Sequence, residues 1–490
     1  MNGKGENGKS KGYTTFVVLT LASIAVMVMY VETMAFPSLP MVMEDFGLTV
    51  QDYALASWVV TIYLIVGAVS IPVFGKLGDI YGKKKMLVIA MTIYTAMVTL
   101  TGFSREISDS IYVMITFRAF QGLAMSMFPL AFSIIRDEFP RERLAVAQGI
   151  ISAMFGVGAV VGVVVGAWVT ETWGWEWTYH TAAPVAFLFT LLVVFKIRES
   201  PVRMKAKVDY VGAMILGGAL VSFLVGVTET SNRGWADPLV VSLLLLSAVF
   251  VAAFLFWLPK AKDPLVRPSL MKQRDIALTN AIAFAIGFAM FTANQTVVAI
   301  GGFTFRLDTV GTGLLMLPMA VVMLIVGPGA GLIVKKHGPK WPMSVGMMLC
   351  IAGYLMLLGY HSTQGEVMVG ITVMGAGSGF AMVGSINMLL ITTPKEETGI
   401  STAMNMIIRT TGSVVGPALA AVIISNNSSI VPGVGAVPEE FAYQLIFIMA
   451  AVVMAIGVVL GLMLTNRKAT PELEKSGPRP ASAGRANGSK

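Results

Sequence analysis

Between residues 14 and 464 the chain is a succession of apolar blocks, each about 20 residues long and separated by short polar or charged breaks. A helix of about 20 apolar residues crosses the hydrocarbon core of a bilayer. Lipid offers no hydrogen bonds, so a block of this length must satisfy its backbone internally, and a helix does so. A spanning β-barrel would instead show segments of about ten residues with alternating polarity, and these blocks do not alternate. A soluble helical protein would need a wetter surface. Only 13% of the residues are charged and 56% are hydrophobic, where ordinary globular domains carry roughly 25% charge. The chain reads as an all-α polytopic membrane protein.

Fourteen blocks can be marked. Spans 1 to 8 cover 14–37, 54–74, 86–104, 112–135, 144–168, 177–196, 209–229 and 237–257. Spans 9 to 14 cover 276–299, 309–333, 342–360, 366–390, 400–424 and 440–464. With both termini in the cytoplasm, 30 of the 35 Lys and Arg residues fall in loops and tails on that side. Three fall in external loops, and Arg118 and Arg409 lie inside spans. This is the positive-inside bias; a missed span would scatter it, so an even count of about fourteen is expected. The formal net charge of +8 then belongs to loops facing anionic lipid. No nucleic-acid motif or basic groove accompanies it. The expected location is the plasma membrane, and the expected form is a monomer.

Other classes find little support. Cys350 is alone, so no internal disulfide framework exists. His180, His337 and His361 are far apart in sequence and suggest no metal cluster. GKGENGKS, Gly3 to Ser10, spells GxxxxGK[ST], but it runs directly into a membrane-length apolar block rather than forming a strand–loop–helix unit, so it does not argue for nucleotide-driven transport, and no cofactor is implied. The first 13 residues are polar and basic, and the run after them is too long for a signal-peptide core. It reads as a retained first span. From Thr465 onward Lys, Arg, Gly, Ser and Pro dominate, as in a disordered tail.

The segment GKLGDIYGKKK, Gly75 to Lys85, joins spans 2 and 3 and sets glycines seven apart, Gly75 and Gly82. GLIVKKHGPK, Gly331 to Lys340, follows span 10 with the same glycine spacing at Gly331 and Gly338. Lys335 stands there where Asp79 stands in the first copy. Two loops of one pattern suggest a duplication, hence a partition of six, two and six spans. The expected layout is an N-tail at 1–13, a six-helix bundle at 14–200, a two-helix insertion at 201–262, a second six-helix bundle at 263–464 and a tail at 465–490. Repeats of this kind are common in transporters.

On these residues the chain resembles the major facilitator superfamily, and more narrowly its 14-span drug:proton antiporter branch. GKLGDIYGKKK is similar to the superfamily's loop between spans 2 and 3. Arg118 with Gln121-Gly122 resembles the fourth-span motif, which implies a part for Arg118 in proton coupling. Phe139-Pro140-Arg141-Glu142-Arg143, followed by Ala147 and Gly149, resembles the loop entering span 5, and Trp175-Glu176-Trp177 with Pro184 the opening of span 6. Two departures stand out. Span 5 reads Gly158-Ala-Val-Val-Gly162-Val163-Val-Val-Gly166, with valine where the branch has proline; Gly416-Pro417 in span 13 does hold the pair. Span 1 reads YVETMAFPSLP, with Glu32 one place after the branch's aspartate and Phe36 where asparagine is usual.

Glu32 is the clear carboxylate deep in the first bundle. A charge at that depth should face the bundle interior or a water-filled cavity, where it suits proton coupling or recognition of a cation. Arg118 keeps its charge at any working pH and must be solvated or paired. Phe36, Asn294, Gln295, Asn387, Asn405, Arg409 and Glu229 are further candidates to line a substrate cavity. Asn405 lies one turn before Arg409 on the same helix face. Gly158, Gly162 and Gly166 repeat every four residues, a small-residue stripe that lets helices approach closely; Gly416 and Pro417 are packing candidates of the second bundle. Gly75, Asp79 and Gly82, with Arg143 as a donor to Asp79, read as a latch stabilising one state of a transport cycle.

The expected function is secondary active transport, most simply proton-coupled antiport exporting hydrophobic or cationic amphiphiles by alternating access. Symport or export of a native amphiphilic or lipid-like solute in the same fold is the alternative. A membrane enzyme or receptor is a distant one, since no Ser/His/Asp set, metal cluster or large external domain is visible. The expected partners are a small-molecule substrate, protons and lipid, with no nucleic acid.

Overall fold

The computed structural model describes residues 11–139, 150–151, 154, 157–200, 208–393, 398–431 and 435–465. Among these residues thirteen helices are long and apolar enough to cross a membrane. A shorter apolar helix, Val157–Trp173, stands in the place of span 5. Fourteen crossings are thus accounted for. Span 1 (Gly12–Met34) breaks near Pro37 and continues as a short helix, Leu39–Asp45. Between spans 13 and 14 the chain forms an antiparallel hairpin, Ser428–Val431 against Gly435–Pro438. The sequence carried no sign of that hairpin.

Gly82 makes the turn between spans 2 and 3. Its φ is 122°, a conformation that side chains rarely adopt, and its N–H closes span 2 on the Gly78 carbonyl at 3.0 Å. Span 3 (Lys83–Gly102) starts at the next residue. Gly338, with φ 85°, closes span 10 in the same way before span 11 (Lys340–Gly359). The repeat seen in sequence is therefore a repeated helix stop. Gly75 makes no turn: it lies within Trp58–Tyr81, and a methyl group there would meet open space.

Burial sorts the spans into layers. Within an 18-residue apolar stretch of each, 78% of span 2 (Val50–Tyr81) and 72% of span 9 (Arg274–Thr304) are buried, but only 11% of span 8 (Pro238–Trp257). Span 8 is also among the most apolar helices, with a mean hydropathy of 2.9, so its exposed surface suits lipid. Span 7 (Tyr210–Thr230) lies deeper and packs against spans 2, 8 and 13. Asp209 caps it, accepting from Gly212 N–H at 2.8 Å, the Trp257 indole at 2.8 Å and Leu265 N–H at 3.4 Å. At its far end Thr228 accepts from the Trp58 indole at 2.7 Å, and Thr230 from the Asn426 amide at 3.4 Å. Span 7 thus reaches the span 2 helix on one side and span 13 (Met404–Asn426) on the other.

The glycines of span 5 lie against span 1. A methyl at Gly158 would strike Val26 and Met29, one at Gly162 the Tyr30 carbonyl and the Thr33 hydroxyl, one at Gly166 the Met34 side chain. Gly162 to Gly166 form a widened π-helical turn at this contact. The obstacle at Gly162 is partly backbone, which cannot swing aside, so Gly162→Ala is expected to destabilise the protein by about 1–3 kcal/mol through overpacking. Gly331→Ala, where nothing lies within 4 Å, is the control. Thermal unfolding in detergent compares them; equal melting temperatures would refute the close-packing account.

Candidate functional site: a buried charge cluster between the helices

Arg118 lies on the helix Ile111–Gln121 and is fully buried. Its Nε donates to the Val59 carbonyl at 2.8 Å and its Nη1 to Gln121 Oε1 at 3.1 Å. The Tyr63 ring lies 4.9 Å from the guanidinium carbon, within cation–π range. Gln121 in turn donates to the Thr101 hydroxyl and, at 3.3 Å, to the Met97 carbonyl. Spans 2, 3 and 4 thus hold one guanidinium in place, with Nη2 left without a hydrogen bond. The buried hydroxyls of Tyr63 and Tyr94 also lack partners. Both tyrosines interact electrostatically with Glu32 and Arg118.

Glu32 is 4% exposed, and its Oε2 has no hydrogen-bond partner. The next residue, Thr33, donates to the Met29 carbonyl at 2.7 Å and to the Ala159 carbonyl at 3.3 Å, fixing this turn of span 1 to span 5. Glu32 interacts electrostatically with two guanidiniums, Arg118 on span 4 and Arg409 on span 13. Three of the sequence candidates are thus linked through Glu32 by electrostatic interaction. One turn after Glu32, the buried Phe36 ring sits 6.1 Å from Phe291 of span 9.

The other candidates divide. Gln295 is buried, and its amide nitrogen and oxygen both lack partners, as does the Thr292 hydroxyl one turn before it. Asn294 is half-buried on the same helix. Asn405 donates to Asn280 Oδ1 at 3.0 Å, joining spans 13 and 9. Asn387 donates to its own helix at Val383, 2.8 Å, and is locally satisfied. Glu229 pairs with Arg233 at 3.0 Å at the end of its helix. At Gly416 a methyl would strike the Thr292 hydroxyl and the Phe288 carbonyl, so spans 9 and 13 touch there; Pro417 follows inside the helix.

At the face carrying the basic turns, Asp79 is 3.4 Å from Lys83. Lys83 is 1% exposed and reaches Asp137 at 2.6 Å, and the Ser200 hydroxyl donates to the same carboxylate at 2.6 Å. Lys84 and Lys85 donate backbone N–H groups to Glu199 at 3.1 and 3.0 Å. Lys83 therefore ties the turn to the end of the fourth span. Arg143 lies outside the described residues. Sequence reading took Lys83 only as a topology signal and missed Asp137, because the pairing joins residues 54 apart.

At the opposite face, contacts join spans 2 and 5 to spans 9, 13 and 10. Tyr53 donates to the Gln295 carbonyl at 2.9 Å, Ala54 N–H to the Ser425 hydroxyl at 3.0 Å, and Thr309 N–H to the Glu171 carboxylate at 3.0 Å. The hairpin strand Gly435–Pro438 packs against Val50–Asp52 and Ile300–Thr304 there. None of these partners carries a sequence signal linking it to the other.

A family model described as the Major Facilitator Superfamily matches residues 21–329 and 276–487. The multidrug transporter protein MdtP of Bacillus subtilis is 24% identical over 421 residues, 83% of this chain and 76% of that protein. The tetracenomycin C resistance and export protein of Streptomyces glaucescens is 25% identical over 419 residues, again 83% and 76%. The fold is similar to that of a bacterial homolog of the human lysosomal transporter Spinster, with a TM-score of 0.64, 15% identity and coverage of 93% and 97%. The family match runs through nearly all of the membrane-length helices, and their number agrees with it. This multi-pass membrane protein is a transporter and not an enzyme, and it belongs to the Major Facilitator Superfamily.

Proposed function

We propose that the protein exports amphiphilic compounds in exchange for protons, by alternating access between bundles 14–200 and 263–464, with both termini and the basic turns in the cytoplasm. The observation that carries this is Glu32: a buried carboxylate with one oxygen unpartnered, coupled to Arg118 of its own bundle and to Arg409 of the other. A proton or a positively charged group on Glu32 alters its pull on both arginines at once. A single loading event is thereby felt by both moving bodies, as coupling requires. The export-named relatives support the direction. Protein reconstituted in liposomes should extrude an amphiphilic dye when a pH gradient is imposed and stop when it is collapsed. Flux indifferent to the gradient would sink the reading.

In this account the ties at the face opposite the basic turns hold the external side shut, and Lys83 with Asp79 latches the cytoplasmic end of the first bundle. Tyr53→Phe deletes one external tie, worth about 0.5–1.5 kcal/mol. It is expected to shift the balance toward external opening by about two- to tenfold, read by spin-label distances across that face. An unchanged distance distribution would show that this tie does not set the balance.

A further inference from the structure

Spans 7 and 8 are fastened to the helices on their two sides in different ways. Span 2 meets them at three levels. At the face opposite the basic turns the Trp58 indole donates to Thr228 at 2.7 Å. Further along, Val69 lies 3.4 Å from the place a methyl on Gly217 would take. At the basic face the Lys76 ammonium donates to the Asp263 carbonyl, in the connector after span 8. Span 13 meets them at two. Opposite the basic turns the exposed Asn426 amide reaches Thr230 at 3.4 Å, longer than usual for an N–H donor. At the basic face Leu258, Val266 and Leu270 of the connector pack with Ile276, Leu389 and Met404 of spans 9, 12 and 13. Ala54 and Ser425, near Trp58 and Asn426 in the chain, bond to each other at 3.0 Å. The end of span 7 therefore sits beside the place where spans 2 and 13 meet directly.

Thr228 and Thr230 thus bond to different bundles from one helix end, and any separation of spans 2 and 13 there must break one of the two bonds. The Asn426 bond is the weaker. Its donor is exposed, so water replaces the lost partner. Trp58 is half-buried with a single side-chain donor, and Thr228 is buried. Opening their bond would strand both groups in an apolar setting. The connector contact is apolar and non-directional, so it tolerates a change of tilt. We propose that spans 7 and 8 move with the first bundle, pivot on the second at the connector, and use Thr230 with Asn426 as a releasable catch on the seam. This rests on the alternating-access reading of the two bundles. The inserted pair is then neither a third moving body nor an appendage of the second bundle.

The test places spin labels, in pairs, at three exposed positions opposite the basic turns: Ile107 of the first bundle, Asn232 at the end of span 7 and Gln364 at the start of span 12. The background is Cys350→Ala, and the protein is held in lipid nanodiscs. Tyr53→Phe with Ser425→Ala removes two direct ties across the seam and drives opening. The 107–364 and 232–364 distances should gain a longer population together, while 107–232 stays unchanged. A 107–232 distance that lengthens while 232–364 stays fixed overturns the proposal and leaves alternating access standing. A 107–364 distance fixed in every variant overturns both. The two threonines give a second readout. Thr230→Val should raise the opened fraction about two- to tenfold, the scale of one hydrogen bond. Thr228→Val, whose bond is kept in both states, should lower the melting temperature without moving that fraction. The reverse pattern, equal shifts from both, or no shift from Thr230→Val overturns the proposal.

Discussion

Glu32→Gln is expected to abolish pH-gradient-driven flux, by about 100-fold or more, the scale of losing a group that transfers a proton. The amide keeps the size of the carboxylate but can neither carry a proton across nor change charge. It also removes the carboxylate that now interacts with both Arg118 and Arg409. Uncompensated charge at bilayer depth is costly, so the variant should also shift the balance between conformations. Glu32→Asp separates the effects: it restores the charge on a shorter stem and should recover part of the flux. Substrate binding without a gradient measures whether the fold survives. Full gradient-driven flux in a folded Glu32→Gln protein is the result that defeats the coupling role.

Lys83→Met is expected to destabilise the protein by about 3–5 kcal/mol, the usual loss when one partner of a buried ion pair is removed. Lys83 is 1% exposed and Asp137 6%, with 2.6 Å between them. The methionine fills the space of the lysine stem but leaves a buried carboxylate without its ammonium. Replacing both partners, Lys83→Met with Asp137→Leu, should recover much of the loss, because an apolar pair carries no desolvation penalty. Asp79, at 3.4 Å from the same ammonium and 29% exposed, should matter less to stability: Asp79→Asn is mainly a variant of conformational balance. Thermal unfolding of the two single variants and the double in one detergent gives the coupling energy. An additive double variant would show that the pair is not a unit.

Much of the architecture was legible because one physical rule dominates in lipid. Blocks of about 20 apolar residues must be helices and must cross, whatever surrounds them. The repeated glycine spacing was legible for a local reason as well. Gly82 and Gly338 stop helices at corresponding places with positive φ, and that requirement acts on single residues. Gly75 shares the spacing but none of the need, so spacing alone overstated its part. The hairpin at Ser428–Val431 left no trace, since four-residue strands are too short to show a period.

The candidate site was legible only in part. A lone acid or arginine within an apolar block announces itself by its cost, so Glu32, Arg118 and Arg409 could be read from the sequence. What they face could not be read, because helix periodicity says which residues share a face and not which helix lies opposite. Lys83 looked like one more topological lysine until Asp137 was seen beside it. Tyr53 and Gln295 are 242 residues apart, and Trp58 and Thr228 are 170 apart. The sequence by itself determined the number of crossings, the loops in which the basic residues gather and the few polar groups that must be accommodated within the bundle, because each follows from the transfer of a segment or a side chain from water to lipid. Only the tertiary structure decided that Arg118 is held by Val59, Gln121 and the Tyr63 ring and that Glu32 interacts with arginines of two distant spans, because pairing depends on how separate helices pack, and no local periodicity encodes that.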